Sequence, residues 1–395
     1  MTLPDIFKLS VQSLLRTKAR AILTMLGIII GIASVILTLA IGQAAQAFLL
    51  SQVASFGSNL IFVANGPGDQ DEGGPPSASI KQTLTVDDFY RLRRESWVEY
   101  VNAASIGNDV VSANGANMFA SISGTTEDEQ RIFQSVVARG RFVTDEDVAS
   151  RSRIIVLGAN VEKKLFGETE ALNQSVKLGR RTYRVVGVMA IGGTRFFTKL
   201  DDQVYVPVTA VLDQYNREKI NFISLTAKQL SVEVTKERVR LVLRDTHNLD
   251  NPQGNLAKDD FRVASQEDAA RSAAVIGTVL QTLLGSIAAI SLVVGGIGIM
   301  NIMFVTVTER TQEIGLRKAL GAKRRDVLGQ FLAEALMLTI LGGAIGVGFG
   351  LLLSVIAIQI INSFQEGWRF VFPMNGVILA FTVSAAIGVV FGYYP

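Results

Sequence analysis

Two groups of side chains in this sequence are of types that could carry chemistry. The one histidine, His247, stands in the turn-like segment Thr-His-Asn-Leu-Asp, and Asp145, Glu146 and Asp147 form an acidic run that could hold a cation. A histidine among turn-forming residues is typical of a surface loop, and three acids directly after Thr144 are typical of the capped first turn of a helix. We therefore interpret both groups as structural rather than catalytic.

Motifs that mark common enzyme active sites are missing from the sequence. It has no cysteine, no Gly-x-Ser-x-Gly turn, no His-Glu-x-x-His pair and no Gly-x-x-x-x-Gly-Lys-Ser/Thr phosphate loop. A net charge of +3 without a basic stripe of interleaved aromatic residues argues against nucleic acid as a partner. We expect no catalytic site, no metal and no cofactor in this chain.

The composition indicates a membrane protein. Of the 395 residues 49% are hydrophobic and 18% are charged, and the mean hydropathy is +0.34. A helix rises about 1.5 Å per residue and the hydrocarbon core is about 30 Å thick, so roughly 20 apolar residues cross it. Apolar stretches predict four transmembrane helices, at residues 21–45, 272–307, 327–358 and 374–395. The second stretch is too long for one span, so its first third is predicted to be a stalk outside the membrane.

Lysine and arginine in the short flanks predict the orientation. They are concentrated before the first span and between the second and third spans, whereas the short outer loop at residues 359–373 has only Arg369. We therefore expect both termini in the cytoplasm, residues 1–20 as an interfacial helix along the inner surface, and residues 46–271 outside. The length of the first apolar run disfavours the alternative of a cleaved signal peptide. The tyrosines directly before Pro395 lead us to expect that the natural chain continues.

Residues 46–271 are numerous enough to bury a core of their own. Short strand patterns alternate there with short helix patterns, and the segment from Val110 to Ser123 around Asn114-Gly115 is typical of a β-hairpin. The predicted fold class is therefore membrane α-helical, with four transmembrane helices and a large α+β extracytoplasmic domain inserted between spans 1 and 2.

The most informative segment lies between the second and third spans, at residues 308–326. Its helical pattern places Glu313 four residues before Arg317, the favourable order for an ion pair. Gly321 is expected to end the helix in a left-handed conformation. An apolar stripe consists of Ile314, Leu316, Ala319 and Leu320. Two interpretations stay open on these grounds: a basic anchor at the inner membrane surface, and a helix that docks another protein.

Glycines recur in the predicted spans at the spacing of one helix face. Such faces let transmembrane helices approach closely, either within one subunit or between two. The candidates are Gly27, Gly31, Gly295, Gly296, Gly342, Gly346 and Gly350. Glu334 is an acid within the third span, and we interpret it as reaching the inner membrane interface rather than as a functional site.

The segment ERTQEIGLRKALGAKRRD, residues 309–326, resembles the coupling loop of MacB-type permeases of the FtsX superfamily of ABC transporters. The resemblance covers nearly the whole chain, with LGIIIGIASV at residues 26–35 and DDQVYVP at residues 201–207 among the matching segments. It implies that residues 308–326 form a coupling helix that binds an ATPase. The residues implied in that contact are Glu309, Arg310, Glu313, Ile314, Gly315, Leu316, Arg317, Lys318, Leu320 and Gly321.

The resemblance also implies partners. Because the sequence has no phosphate loop, ATP and Mg²⁺ are expected in a separate ABC ATPase subunit. A second permease copy is expected to form a homodimer in the inner membrane of a bacterial cell, and a membrane-fusion adaptor is a further partner. ATP hydrolysis would move the outer domain and drive export by mechanotransmission. The resemblance implies a porter-like lobe at residues 46–117 and 211–271, and a β-rich insert at residues 118–210.

Other functions stay open at this point. Within the family, the alternatives are an FtsX-like regulator of a cell-wall hydrolase and a lipoprotein-releasing permease. Outside it, the alternative is a receptor or adhesion domain anchored by four helices. The apolar stripe argues against this last alternative, because a simple anchor does not need it.

Overall fold

The chain divides into two compact units in a computed structural model. We call Met1–Leu49 with Ala274–Pro395 the helical unit, and Leu50–Ala273 the α/β domain. Residues 1–17 of the expected interfacial helix lie outside the described residues. The structure describes residues 18–54, 59–68, 81–195, 198–321, 323–365 and 367–393.

Helices and strands alternate along the α/β domain, whereas the helical unit consists of long apolar helices. The helices are α1 (Lys18–Ala54), α2 (Val86–Arg93), α3 (Glu129–Phe133), α4 (Asp145–Ala149), α5 (Ala159–Phe166), α6 (Val208–Tyr215), α7 (Val232–Thr246), α8 (Gln266–Glu309), α9 (Thr311–Ala319), α10 (Arg324–Phe364) and α11 (Met374–Tyr393). The strands are β1 (Leu60–Asn65), β2 (Val98–Ala113), β3 (Ala116–Thr125), β4 (Val137–Gly140), β5 (Ile154–Leu157), β6 (Ser175–Leu178), β7 (Arg181–Met189), β8 (Thr194–Arg195), β9 (Thr198–Lys199), β10 (Gln203–Pro207), β11 (Phe222–Ala227) and β12 (Phe261–Ser265).

Strand β2, with 16 residues, joins two lobes of the α/β domain. Its first half, up to Ala104, pairs with β11, and this sheet lobe continues through β1 to β12. From Ser105 onward β2 pairs with β3, and the ladder runs on through β10, β5, β7 and β6 before it returns to β2 at Val111. Six strands therefore close into a ring, which we call the ring lobe.

The predicted hairpin is confirmed as β2–β3. Asn114 and Gly115 have φ angles of 51° and 79°, which a two-residue turn between twisted strands requires. The change of partner at Ser105 places the start of the ring lobe within β2, whereas the resemblance put the β-rich insert at residues 118–210. The difference arises because one long strand serves two sheets, which its residue pattern does not reveal.

Each lobe buries an apolar core. Phe89 and Phe261 are fully enclosed in the sheet lobe, and Ile155 and Tyr183 are fully enclosed in the ring lobe. Burying side chains of this size stabilises a fold by about 1.5–3 kcal/mol each. The two cores make the domain a folded body with defined positions for its charged groups.

The acidic run after Thr144 caps a helix, as predicted. Thr144 Oγ1 accepts a hydrogen bond from the backbone N–H of Asp147 in α4, and Asp147 Oδ2 accepts one from the N–H of Thr144 at 3.0 Å. Burial raises the pKa of Asp147, but hydrogen bonds from Arg141 and Thr144 outweigh it, so the net shift of this pKa is downward. Among the described residues, no cluster of histidine and acidic side chains could hold a metal ion.

The prediction that His247 lies on the surface is wrong. Its side chain is 9% exposed, with Nδ1 2.7 Å from Oδ1 of Asp260 and Nε2 3.2 Å from Oδ2 of Asp88. The ring also packs edge-on to Phe261. As the residue after α7, His247 is directed inward between α2 and the start of β12, a placement that the turn-like local sequence does not show.

The carboxylate of Asp88 and the imidazole of His247 shift each other's pKa. The hydrogen bond to Asp88, supported by that to Asp260, raises the pKa of His247. Burial raises the pKa of Asp88, but hydrogen bonds from His247 and Thr85 outweigh it and lower this pKa overall. The folded domain therefore favours a charged imidazolium beside the charged carboxylate of Asp88.

Several helical segments of the described chain are long and apolar enough to cross a membrane. By length and composition these are Met25–Ser51, Gln266–Ile287 and Val327–Phe364. The end of α8 becomes a fourth candidate when it is taken together with α9, which follows at a bend of 57°. Helix α11 contains a shorter apolar segment, Met374–Val390.

Helix α10 continues past residue 358, where the third span was expected to end. It runs to Phe364, and Oδ1 of Asn362 then accepts hydrogen bonds from the N–H groups of Gly367 and Trp368 at 3.0 and 3.1 Å. Trp368 stacks on Phe48 of α1, with ring centroids 5.3 Å apart. The expected loop at residues 359–373 is therefore partly helical, because no helix-breaking residue precedes Gly367.

The predicted glycine face of α10 packs against α1 of the same chain. A Cβ atom at Gly346 would lie 3.0 Å from Cβ of Ile32, and one at Gly350 would lie 2.8 Å from Cβ of Ile36. Gly342 faces the same helix one turn earlier. Of the two interpretations that the sequence left open, this face shows packing within the chain.

Three of the remaining candidate glycines, Gly27, Gly295 and Gly296, lie where α1 meets α8. A Cβ at Gly27 would be 3.7 Å from Cα of Gly295, so the two backbones are nearly in contact. Gly31 and Gly296 are both buried in their helices. Small residues are needed there because apolar lipid gives helices no hydrophobic reason to associate, and close packing must provide the attraction.

The α1–α10 contact yields a test of packing. We expect Gly350→Leu to destabilise the detergent-solubilised protein by about 1–3 kcal/mol, because the new side chain must push α1 away. Gly348→Leu is the control, since a Cβ at Gly348 meets nothing within 4 Å. Thermal unfolding followed by size-exclusion chromatography compares them. Equal melting temperatures for the two variants would contradict the assigned contact.

The charged cluster around His247 yields a pH prediction. Because the pKa of His247 is raised, its contribution is fully present below its ordinary value of 6.5 and is lost as the pH rises through the folded value. The contribution of Asp88, whose pKa is lowered from 3.8, is lost at the acid end instead. In the wild type we expect the free energy of unfolding to fall by on the order of 1–3 kcal/mol as the pH rises through the folded pKa of His247. His247→Gln should not show this fall.

Fluorescence can report this transition in the intact chain. Of the two tryptophans in the sequence, Trp97 is buried in the α/β domain, so a Trp368→Phe background leaves a reporter of that domain. The sequence has one histidine, so no other imidazole contributes to the titration. An alkaline decline that persists unchanged in His247→Gln would show that the cluster does not cause it.

Candidate functional site

The candidate site is the bend between α8 and α9 and the start of α10. Helix α8 ends at Glu309, Arg310 forms the bend, and α9 runs for nine residues to Ala319. Gly321 has a φ of 94°, so it ends this segment in the conformation that the sequence predicted. The short helix α9 is thus bounded by the bend at Arg310 on one side and by Gly321 on the other.

One face of the bend is held against α10. Nη1 of Arg310 lies 3.4 Å from Oε2 of Glu334, and Nη1 of Arg317 donates a hydrogen bond to Oε1 of Gln330 at 3.0 Å. Ile314, between the two arginines, packs against the apolar core of the helical unit. Positions 310, 314 and 317 share one face of a helix, so all three contacts act on the same side of α9.

The opposite face of α9 is open. Leu316 is 64% exposed and Leu320 is 81% exposed, and these leucines are four residues apart on one helix face. Glu313 and Lys318 beside them are exposed as well. The predicted apolar stripe therefore divides, because Ile314 turns to the core while the two leucines point away from it.

The predicted ion pair between Glu313 and Arg317 is not formed. Arg317 instead donates to Gln330, a buried residue of α10. The prediction failed because spacing within a helix cannot show that a neighbouring helix offers a closer acceptor. Glu313 is thereby left on the exposed face, where it adds a negative charge to a largely basic segment.

Glu334 is buried and has a charged partner: it is 5% exposed and paired with Arg310. That it reaches the inner membrane interface stays a prediction. An acid in an apolar helical bundle requires such a partner, because an unpaired charge there is strongly unfavourable. The ion pair therefore attaches the α8–α9 bend to α10.

Gln330 and the pairing of Glu334 were missed from the sequence. A signal for them exists in the spacing: Gln330 and Glu334 are four apart on α10, and Arg310 and Arg317 are seven apart on the bend. Both spacings keep each pair on one helix face. What the sequence could not show is that these two faces meet.

The remaining predicted coupling residues lie at the ends or on the open side of this segment. A Cβ at Gly315 would meet nothing within 4 Å, so close packing within the chain does not explain this glycine. Lys323, Arg324 and Arg325 are exposed at the start of α10. The site is thus a short helix with a fixed inner face, two exposed leucines and a basic border. This arrangement suits protein docking and offers no catalytic group among its described residues.

Comparison with known families agrees with this organisation. A family model described as the MacB-like periplasmic core domain matches residues 21–242. A second one, described as the FtsX-like permease C-terminal, matches residues 285–395. The second match contains the α8–α9 bend and the start of α10.

Curated relatives match over almost the whole chain. The macrolide export ATP-binding/permease protein MacB of Bdellovibrio bacteriovorus is 36% identical over 393 residues, which is 97% of this chain. The protein of the same name from Neisseria gonorrhoeae is 33% identical over 393 residues, or 99% of this chain. The chain spans 58% of the length of each of these relatives.

A solved structure resembles the chain in part. The periplasmic region of MacB from Actinobacillus actinomycetemcomitans aligns with a TM-score of 0.47 and 20% identity, covering 57% of this chain and 96% of that one. The identification rests on the family models and the relatives, which agree across both units. The chain belongs to the family of MacB-like, FtsX-like ABC transporter permeases.

Proposed function

We propose that this chain is the permease of an ATP-driven exporter and that α9 is its coupling helix. ATP and Mg²⁺ bind to an ATPase partner, expected as a separate subunit, that docks on the exposed face of α9. The chain crosses the inner membrane of a bacterial cell four times with both termini in the cytoplasm, and the α/β domain lies outside. A second copy of the permease completes the assembly.

The two-sided character of α9 supports this proposal. The positive-inside rule requires basic residues here but does not require leucines that are 64% and 81% exposed beside them. Exposed apolar side chains rimmed by charges are the usual composition of a protein-docking surface. Leu316 and Leu320 supply the apolar centre, and Glu313, Lys318 and Lys323 supply the rim.

The inner face of α9 provides the contacts through which a docked ATPase would move the neighbouring helices. A force on Leu316 and Leu320 reaches α10 through the contacts of Arg310 and Arg317, and it reaches α8 through the bend itself. Helix α8 is 44 residues long and begins at Gln266, within the bounds of the α/β domain. Movement of the ATPase is thereby passed to the helix that leads to the outer domain, and no substrate passage through the helical unit is required.

The names of the relatives favour one class of exported substrate. Both are macrolide exporters by name, which favours export over hydrolase regulation or lipoprotein release. We propose export of macrolide-like compounds, with a membrane-fusion adaptor as a further partner outside the membrane.

The docking surface can be tested by co-purification. We expect Leu320→Asp to reduce recovery of the ATPase with the permease at least about tenfold, because a charge replaces the apolar centre of the interface. Val136→Asp is the control, since Val136 is similarly exposed, at 64%, but lies in the α/β domain. Recovery of the ATPase at the wild-type level with Leu320→Asp would overturn the assignment of α9.

The proposed orientation can be tested because the sequence has no cysteine. Gln312→Cys introduces one on exposed α9, and Ile191→Cys introduces one in the α/β domain at a position that is 86% exposed. We expect a membrane-impermeant maleimide to label Ile191→Cys, and to label Gln312→Cys only after the membrane is opened. For bacteria with an outer membrane, spheroplasts are the sample. Labelling of Gln312→Cys in intact spheroplasts would place α9 on the wrong side.

A further inference from the structure

Helix α7 carries two buried ion pairs, one near each end. At its C-terminal end, Arg244 binds Asp259 with two hydrogen bonds of 2.8 and 2.7 Å, and Asp259 precedes β12. Near its N-terminal end, Nζ of Lys236 lies 2.6 Å from Oδ2 of Asp268, and Asp268 is in the first turn of α8. The two pairs therefore hold α7 to different elements.

Asp268 has two structural roles at once. Its Oδ2 accepts hydrogen bonds from the backbone N–H and from Oγ of Ser265, at 2.9 and 2.7 Å, and the N–H of Asp268 donates to Oγ of Ser265 at 3.1 Å. This is a capping box, which fixes the start of α8. The same carboxylate is the partner of Lys236, so the start of α8 and its attachment to α7 depend on one side chain.

Burial makes this attachment hard to break. The side chains of Lys236 and Asp268 are each 6% exposed. Separating them would leave two charges with little water around them, which is far more costly than separating an exposed pair. An exposed pair exists in the same turn for comparison: Glu267 and Arg271 are 3.5 Å apart and are 73% and 71% exposed.

The location of the pair matters because helix ends are the parts of a helix that open most easily. A first turn that opened would absorb a displacement of α8 before it reached β12 and the sheet lobe. A capped first turn with a buried ionic attachment to α7 does not open in this way. The displacement then acts on α7, and through Arg244 and Asp259 on the segment before β12.

We propose that the Lys236–Asp268 ion pair is the fixed point through which α8 moves the α/β domain. Lys236 is a positioning residue in this sense, since it acts through Asp268 on the start of α8. This inference rests on the proposed function, because it requires that an ATPase drives α8.

Hydrogen exchange of the full chain in nanodiscs tests the attachment alone. We expect Lys236→Met to speed exchange of the amides of residues 266–273 by about a hundredfold or more, because it removes the cation that faces a buried carboxylate. Arg271→Met removes the exposed pair in the same turn and should leave these rates within about threefold of the wild type. Equal effects of the two substitutions would overturn the inference. If Lys236→Met does not fold, the double variant Lys236→Met with Asp268→Asn is measured in its place. It removes both charges of the pair, so neither charge is buried without the other.

Coupling is tested in the permease–ATPase complex with a readout that needs no substrate. Spin labels at Val136→Cys and Gln312→Cys report the distance between the α/β domain and α9, and these 395 residues contain no cysteine of their own. We expect addition of ATP and Mg²⁺ to change this distance in the wild type, and Lys236→Met to lose at least about half of the change with ATP hydrolysis retained. Arg271→Met breaks the exposed pair in the same turn of α8, and it should keep the full change.

The outcomes separate the two proposals. Failure of the ATPase to bind the wild type, or no response of the wild type to ATP, overturns the proposed function and this inference with it. A full distance change in Lys236→Met overturns the inference alone.

Discussion

The ion pair between Arg310 and Glu334 is the contact on which the α8–α9 bend depends. Glu334 lies among apolar side chains of the helical unit, where an unpaired carboxylate is strongly unfavourable. Arg310 meets this charge at the residue where α8 gives way to α9. The bend is therefore fixed to one position along α10, and the direction of α9 is fixed with it.

Glycine contacts make this arrangement compatible with a tightly packed bundle. Gly346 and Gly350 let α1 approach α10, and Gly27 and Gly295 let α1 approach α8. Helix α1 is thereby in contact with both helices that flank the bend. Because packed helices have few alternative arrangements, the proposed displacement at the bend would be transmitted rather than absorbed by loose side chains.

The α/β domain uses charge in a related way. Lys236, Arg244 and His247 lie along α7 and just after it, and each binds an acid on another element. Apolar contacts alone are non-directional, whereas hydrogen-bonded charges fix both the position and the rotation of a helix. Buried charges thus define how α7 sits on the segments before and after β12.

The sequence alone determined the features that depend on neighbours along the chain. Asn114-Gly115 determined the hairpin, Thr144 and Asp147 the capped helix, Gly321 the end of α9, and the motif at residues 309–326 the family. These are local because a turn, a cap or a motif involves residues within a few positions of one another. The spacing of the glycines likewise indicated a packing face, although not the helix that it meets.

Only the tertiary structure decided which distant groups meet. It paired Arg310 with Glu334 and Lys236 with Asp268, turned Arg317 from Glu313 to Gln330, and enclosed His247 between two acids. It also divided β2 between two sheets at Ser105. A helix pattern shows which residues share a face, but the partner of that face is set by how remote segments pack, and the burial that makes a charged pair decisive exists only once they have packed.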